Sequence, residues 1–465
     1  MSEQNNKLND VSSTTIAAIS TAQAPGGIGI IRISGSDARQ IADRVFRAAH
    51  GKKVNDAAGY TALYGHVYDG DKKIDEVIAL VFAAPASFTG EDVVEFSCHG
   101  GLYVMRRVLS LVFAAGAVPA AAGEFTRRAF LNGKIGLTEA ESVMQIISAQ
   151  GEQAARAAMC GHDGVLEKRI VKIRDELITA SAHLCAWADY PEDDIPQVDN
   201  EELKTTLIFA KTEVDLLLSQ FDAGKAIREG VDTVIAGRPN VGKSTLMNLL
   251  AGCERSIVTQ YAGTTRDVVE DTVILGDVLL NLADTAGIHL TEDPVEKIGV
   301  TRARDKVQSA QLILAVFDSS QELSEQDYEL ISVIQNAPAI AIINKSDLPK
   351  KINNEYIINV FTHIVYISAL SGDGLQNLKS AVADVLKTAT LNPADGILFT
   401  ERQRDAARWA GECIEEALDA LISGITLDAV TVSIDGAISA LLELTGERAT
   451  EAIVDSVFSH FCVGK

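Results

Sequence analysis

The sequence predicts a multidomain α/β chain. A domain of alternating strands and helices is inserted into a discontinuous helical domain, and an α+β domain precedes both. Three observations predict this. Residues 237–245, Gly-Arg-Pro-Asn-Val-Gly-Lys-Ser-Thr, join the apolar, strand-like run Val231–Ala236 to a helix start at Leu246–Leu250. From about Gly230 to Leu386, strand and helix patterns alternate. On both sides, from Lys134 and again from Thr400, the spacing of apolar residues turns helical.

Residues 1–12 are polar and expected to be loose. Strand-like runs Ile28–Ile33, Val77–Phe82 and Val93–Ser97 then mix with helix-like segments such as Asp37–Ala49, giving an α+β domain over 1–133. Helical spacing continues to Asp189, and the proline- and acid-rich Tyr190–Asn200 reads as an exposed turn. In the next helix Leu203, Leu207, Val214, Leu217, Leu218 and Phe221 share one stripe. The first helical half therefore covers 134–229, the inserted domain 230–388 and the second helical half 389–465. Insertion is expected to be tolerated because domain termini commonly lie close together.

At 465 residues, about three domains are expected. An apolar content of 47% and a charged content of 23% are those of an ordinary soluble protein. The net charge of −23 excludes a protein that coats nucleic acid through a general basic face, so any RNA contact must be local. The first thirty residues hold one basic residue, Lys7, and no apolar core; neither a secretory signal nor a transit peptide is expected. The uncharged run Val108–Gly123 is shorter than the ~20 residues a spanning helix needs and contains Pro119, so it reads as buried, with no membrane partner. Cys98, Cys160, Cys185, Cys253, Cys413 and Cys462 form no C-x-x-C pair and fit a reducing, cytoplasmic setting.

A strand that turns through Gly237 and Gly242 into a helix aims backbone N–H groups at a polyphosphate. Asn240, Val241, Gly242, Lys243, Ser244 and Thr245 are its phosphate-facing part. Lys243 is placed to reach the β- and γ-phosphates, and the Ser244 hydroxyl to ligate Mg²⁺. Asp284-Thr285-Ala286-Gly287 follows the run Val278–Ala283, where the aspartate can hold Mg²⁺ through water. Asn344-Lys345-Ser346-Asp347 follows Ala339–Ile343. There Asp347 can accept from guanine N1–H and the 2-amino group, a donor pair adenine lacks, while Asn344 and the Lys345 stem frame the ring. Ser368-Ala369-Leu370 follows Ile364–Ile367 and can offer a backbone N–H to guanine O6. Four motifs in this order, each at the C-terminal end of an apolar strand, predict GTP bound to a Ras-like P-loop GTPase domain.

Switch I is expected at Thr259-Gln260-Tyr261-Ala262-Gly263-Thr264-Thr265-Arg266-Asp267, with Thr265 assigned to Mg²⁺. Ras-like enzymes carry a water-orienting glutamine where this chain has Ile288, and an isoleucine cannot orient water. Glu292, Asp293 and Glu296 are the candidates for that role, and the residues alone leave them level. Arg238 and Arg266 could neutralise charge, but neither position is diagnostic. The Asn240 side-chain carbonyl offers a second means, by holding a monovalent cation beside the phosphates.

The constellation resembles the MnmE (TrmE) family of tRNA-modification GTPases, from about Thr15 to Lys465. Matching runs are Gly26–Gly35 (GGIGIIRISG), Asp92–Gly101 (DVVEFSCHGG), Gly123–Lys134 (GEFTRRAFLNGK) and Phe461–Lys465 (FCVGK). The resemblance implies an N-terminal domain that forms a homodimer and binds 5-formyl- or 5,10-methylene-tetrahydrofolate, with Arg32, Glu95, Lys134 and Lys465 as binding positions. It implies a heterotetramer with an MnmG-like flavoprotein that installs an aminomethyl or carboxymethylaminomethyl group at C5 of the wobble uridine of certain tRNAs. It also implies hydrolysis stimulated by K⁺-dependent dimerisation of the G domains. Asn240, Thr259, Tyr261 and Thr264 would surround K⁺, the tyrosine through its carbonyl, and Glu296 would position the water. Gly136, where an aspartate is more usual, and Tyr190-Pro191 depart from the family's text.

In isolation Arg32 and Glu95 read as a structural ion pair; their place in matched runs turns the reading towards a ligand. A folate offers an anionic tail for Arg or Lys and pterin N–H donors for a carboxylate. His99 is not assigned. Cys462, beside the final Gly-Lys, is expected to belong with Lys465 to the modification site as a catalytic thiol. Two rivals remain: a regulatory or ribosome-assembly GTPase without modification chemistry, and a folate-dependent aminomethyl transferase with an accessory G domain. The first would need a basic RNA-binding appendage, and neither flank looks like one.

Overall fold

Apolar side chains at every second position build the first sheet. The computed structural model describes residues 14–189, 198–252, 271–276, 278–283, 310–334, 337–389 and 391–465. By compactness Met1–Met144 with Leu442–Lys465 form one unit, and Gln145–Leu441 the other.

In the first unit the chain runs β1 (Ile16–Ile19), β2 (Ile28–Ser34), α1 (Ala38–Val45), β3 (Phe46–Ala48), β4 (Thr61–Asp69), β5 (Lys72–Phe82), β6 (Val93–His99), α2 (Leu102–Ala114), β7 (Val118–Pro119) and α3 (Glu124–Leu131). The sheet order is β3-β4-β5-β6-β2-β1-β7, antiparallel except for the parallel β1–β7 pair. Ile31, Ile33, Val67, Val77, Ala79 and Phe96 point into a core closed by Ile41 and Val45 of α1 and by Met105, Val108 and Val112 of α2. The other face carries Tyr64, Ile78 and the half-buried Arg32 and Glu95, which the β2–β6 register sets side by side.

The helix expected over Asp37–Ala49 stops at Val45. Phe46 instead joins the core and pairs with Val67, making Phe46–Ala48 an edge strand. The uncharged run Val108–Gly123 is likewise divided, between the end of α2 and β7. Its buried residues are Val108, Val112, Ala117, Ala120 and Gly123, not the whole run.

The helix Leu137–Ser148 (α4) comes next in the chain, followed by α5 (Glu152–His162), α6 (Val165–Asp189) and α7 (Asn200–Glu229). Leu203, Leu207, Val214, Leu217 and Phe221 of the expected α7 stripe are buried, and Leu218 is half-buried. Gly230, at φ +80°, then turns the chain into β8 (Val231–Ala236). The remaining elements are α8 (Lys243–Ala251), β9 (Asp271–Leu275), β10 (Val278–Ala283), β11 (Leu312–Asp318), α9 (Glu325–Ile334), β12 (Ala339–Asn344), α10 (Glu355–Val360), β13 (His363–Tyr366) and α11 (Leu375–Val385). Their sheet has the order β13-β12-β11-β8-β10-β9, parallel except for β9. One face packs on Leu246, Leu250, Leu378 and Val382, the other on Ile331, Ile334 and Ile357.

The chain leaves this domain towards α12 (Glu401–Ile422) and α13 (Leu427–Thr445). Entry and exit meet: Lys225 Nζ is 2.9 Å from Glu401 Oε1, and a Cβ on Gly224 would lie 3.3 Å from Ile397. A domain whose ends are adjacent is suited to insertion, and the fold is a Ras-like P-loop domain inserted into a discontinuous helical one, preceded by an α+β domain. Among the described residues no helix is long and apolar enough to cross a membrane.

The last helix, α14 (Glu451–Ser459), returns to the first unit, where Val454, Phe458 and Phe461 pack with Leu137 and Ala140.

Candidate functional site

Parallel strands end at a common edge, so the residues just after β8, β11, β12 and β13 are delivered to one place. The loop after β8 turns at Asn240 (φ +66°) and Gly242 (φ +99°). A Cβ on Gly242 would sit 2.3 Å from Asn344 Nδ2, so the position requires glycine both for backbone and for space. The helix α8 begins at Lys243, earlier than the Leu246 start read from the sequence, which puts Ser244 and Thr245 in its exposed first turn.

Lys243 Nζ donates to the carbonyls of Gly237 at 2.7 Å and Arg238 at 2.9 Å, curling the loop round its own ammonium. Burial pushes that ammonium below its ordinary pKa. The side chain is thus held at the loop and loses solvation that an anion would replace.

Asn344, 2% exposed, fastens three motifs together. Its Nδ2 donates to the Val241 carbonyl at 2.8 Å and its Oδ1 accepts from Ala369 N–H at 3.0 Å. Lys345 Nζ donates to the Asn240 carbonyl at 2.8 Å and lies 2.6 Å from Asp318 Oδ2. Ser346 N–H donates to the Ile367 carbonyl at 3.1 Å, and Asp347 is exposed beyond it. Helix-terminal N–H groups, an ammonium, two hydroxyls and an exposed carboxylate at one sheet edge fit a magnesium-bound guanine nucleotide. Ser244 would hold the metal, whose charge would offset that of the phosphates.

Arg238 is engaged elsewhere. Its Nε is 3.3 Å from Asp327 Oδ2, and its Nη2 donates to Gln321 Oε1 at 2.9 Å. Thr259, Gln260, Tyr261, Ala262, Gly263, Thr264, Thr265, Arg266, Asp284, Thr285, Ala286, Gly287, Ile288, Glu292, Asp293 and Glu296 lie outside the described residues, as does Cys253.

A second cluster stands on the first unit's sheet. Arg32 Nε is 2.7 Å from Glu95 Oε1, and the guanidinium lies 5.7 Å from the Phe88 ring and 5.5 Å from that of Phe125. Lys134 Nζ donates to the Pro85 carbonyl at 3.1 Å, three residues from Phe88. The Phe125 N–H donates to the Lys465 carbonyl at 3.1 Å, and Val463 bridges to Ala122. Gly464 turns this peptide at φ +99°, with space for no Cβ: one would come within 2.4 Å of the Ile19 carbonyl. Arg32, Glu95, Lys134 and the 462–465 peptide therefore gather around Phe88 and Phe125, with the Cys462 residue exposed. A carboxylate, the cationic side chains of Arg32 and Lys134 and a half-open aromatic ring fit a flat heterocycle with an anionic tail.

Beneath the cluster, buried Arg128 reaches Glu91 at 3.1 Å, Glu124 at 2.9 Å and the Thr14 carbonyl at 2.8 Å. Cys98 and Cys413 are buried thiols raised by loss of solvation, Cys98 to about 12. Sequence reasoning missed Asp318, Asp327, Phe88, Phe125 and Arg128. Asp318 had a usable signal: like each motif, it closes an apolar strand. The phenylalanines had none, because nothing local distinguishes a ring under a ligand from a ring in a core.

The model of the MnmE helical domain matches residues 137–462, and that of the GTP-binding protein TrmE N-terminus matches residues 15–134. The tRNA modification GTPase MnmE of Geobacillus thermodenitrificans is 42% identical over 97% of this chain and 99% of its own length. That of Alkaliphilus metalliredigens is 39% identical over the same shares. Among solved structures, the G domain of the T. maritima FeoB iron transporter is 28% identical over 33% of this chain and 98% of that one, at a TM-score of 0.25. On family models that together match most of the chain and on these relatives matched over nearly their full length, the chain belongs to the MnmE family of tRNA modification GTPases.

Proposed function

We propose that this GTPase, together with an MnmG-like flavoprotein, adds an aminomethyl or carboxymethylaminomethyl group to C5 of the wobble uridine of certain tRNAs. A reduced folate supplies the one-carbon unit from the Arg32–Glu95–Lys134–Lys465 cluster. The observation that carries this reading is the gathering of those residues and the 462–465 peptide round Phe88 and Phe125, in the unit that does not hold the phosphate loop. A pure GTP switch has no use for such a cluster.

Within the site Glu95 accepts pterin N–H donors with Arg32 held beside it, the lysines meet the anionic tail, and Cys462 stands at the rim. In the inserted domain, 230–388, Lys243 and the N–H groups of 240–245 hold the phosphates, while Asp347 reads guanine. Arg238 is bound to Asp327, so the Asn240 side-chain carbonyl is left to recruit K⁺, with Thr259, Tyr261 and Thr264, and Glu296 orients the water. The N-terminal domain, 1–133, forms the homodimer; the helical domain comprises 134–229 and 389–465, and the protein works in the cytoplasm.

The modified-nucleoside profile of tRNA from cells lacking this chain tests the reading. Loss of the C5-substituted wobble uridines, restored by the wild type and not by Arg32→Ala, is expected. An unchanged profile would return the chain to the class of regulatory GTPases.

A further inference from the structure

We propose that the cleft at the β3 edge of the N-terminal sheet, lined by Arg44, Arg47, Lys52 and Lys53, holds the phosphate backbone of the tRNA. This rests on the reading that the chain itself meets tRNA. A protein with a net charge of −23 repels a polyanion unless its positive charge is concentrated somewhere. Residues 44–53, RVFRAAHGKK, contain Arg44, Arg47, His50, Lys52 and Lys53 and no acid. All five of these residues are exposed.

Their charge is not neutralised by the protein. Neighbouring Arg39 is paired with Asp92 and Arg107 with Asp69. Among the described residues, no carboxylate is ion-paired to Arg44, Arg47, Lys52 or Lys53. The one acid lining the cleft, Asp43, is turned to the backbone N–H groups of Val54 at 2.6 Å and Asn55 at 3.0 Å. The two guanidinium groups are instead steadied by neutral carbonyls: Arg44 by Ala115 at 2.5 Å, Arg47 by Gly70 at 3.1 Å. Fixed position with unspent charge is what a phosphate contact needs, and the cleft offers about 380 Å³.

Beside it runs a row of rings. Arg47 lies 4.4 Å over Tyr68, and Tyr68, His66 and Tyr64 follow one another along the outward face of β4 at 6.3 and 5.9 Å. Rings next to a basic cleft suit unstacked bases of RNA loops. An anionic membrane surface would make no use of them.

The test is fluorescence anisotropy of the full-length chain with an unmodified tRNA transcript, titrated between about 50 and 200 mM salt. The paired substitution Lys52→Glu/Lys53→Glu should lower affinity tenfold or more and flatten the slope of log affinity against log salt by about two contacts. Arg47→Ala should lower affinity and flatten the slope by about one. GTP hydrolysis should not change. Lys204→Glu/Lys379→Glu makes the same charge change on the other unit and should leave tRNA affinity as it is. Unaltered affinity in the Lys52/Lys53 variant, or an equal fall in the Lys204/Lys379 control, overturns the assignment of the cleft. So does a variant that loses only binding to phosphatidylserine vesicles. Absence of salt-dependent tRNA binding by the wild type overturns the underlying reading, and the cleft with it.

Discussion

Lys345 can frame a guanine only if something holds it there, and Asp318 does so from the end of β11. Burial works to raise the Asp318 carboxyl, but the Lys345 ammonium and the Ser320 hydroxyl and N–H outweigh it and keep it below the usual range. A carboxylate lowered on folding stabilises above its unfolded value, about 3.9, and its contribution is lost as pH falls through the lower folded value. Asp318→Asn keeps the shape and removes the charge. GTP affinity should fall by about 1.5–3 kcal/mol, the range of a charged hydrogen bond, with turnover at saturation little changed. Nucleotide titration and steady-state rates check this; unaltered affinity would mean that Lys345 needs no partner. His99 has the opposite sign. The hydrogen bond its Nδ1–H donates to Asp75, 2.6 Å away, and that carboxylate's charge hold its exposed imidazole above the ordinary value. The resulting stabilisation is complete below the unfolded value, about 6.5, and is lost as pH rises through the folded one. An NMR titration should show a raised His99 midpoint that Asp75→Asn lowers; equal midpoints in the two proteins would contradict the pairing.

At the scale of elements, the phosphate loop is tied at its Arg238 end to α9. Asp327 accepts at 2.8 Å from both the N–H and hydroxyl of Ser324, and the same Oδ2 meets the guanidinium. Arg238 therefore braces the loop and is not expected to serve as an arginine finger, a role worth roughly 10³–10⁵ in rate. Arg238→Ala should lower kcat less than tenfold in potassium buffer; a thousandfold loss would restore it as the charge-neutralising group. The sequence shows β8, β10 and β12 because strands covered on both faces read as mainly apolar runs, broken only by Asp232 and Thr233 in β8 and Asn281 in β10. It hides β3 and β4, since three-residue Phe46–Ala48 continues a helical pattern and the Tyr64–His66–Tyr68 face interrupts the apolar alternation. The spacing within a motif is likewise legible, as in Asn240, Lys243, Asn344 and Asp347. The partners that wire those motifs together, Asp318, Asp327 and the Asn344–Ala369 bond, depend on which strands become neighbours, and that is a property of the closed sheet.

At the scale of the whole molecule, the phosphate loop and the Arg32–Glu95 cluster stand on different units, and the 461–465 peptide belongs to the one that holds the cluster. A peptide of this kind is loose unless something ties it down. Here Phe461 is buried with Phe458, Val463 bridges to Ala122, Phe125 N–H holds the Lys465 carbonyl, and Gly464 makes a turn no side chain fits. Gly464→Val should release residues 462–465 while leaving α14 and its core contacts in place. A left-handed backbone position occupied by a branched residue costs about 1–3 kcal/mol, enough to undo a four-residue attachment and little against the stability of the unit. Affinity for formyl-tetrahydrofolate should fall at least fivefold by calorimetry, and wobble-uridine modification in cells should be lost. GTP hydrolysis should stay within twofold of the wild type, and Cys462→Ser should spare it too. Loss of hydrolysis together with modification would make the peptide a support of the fold, and retention of both would remove Cys462 and Lys465 from the modification site.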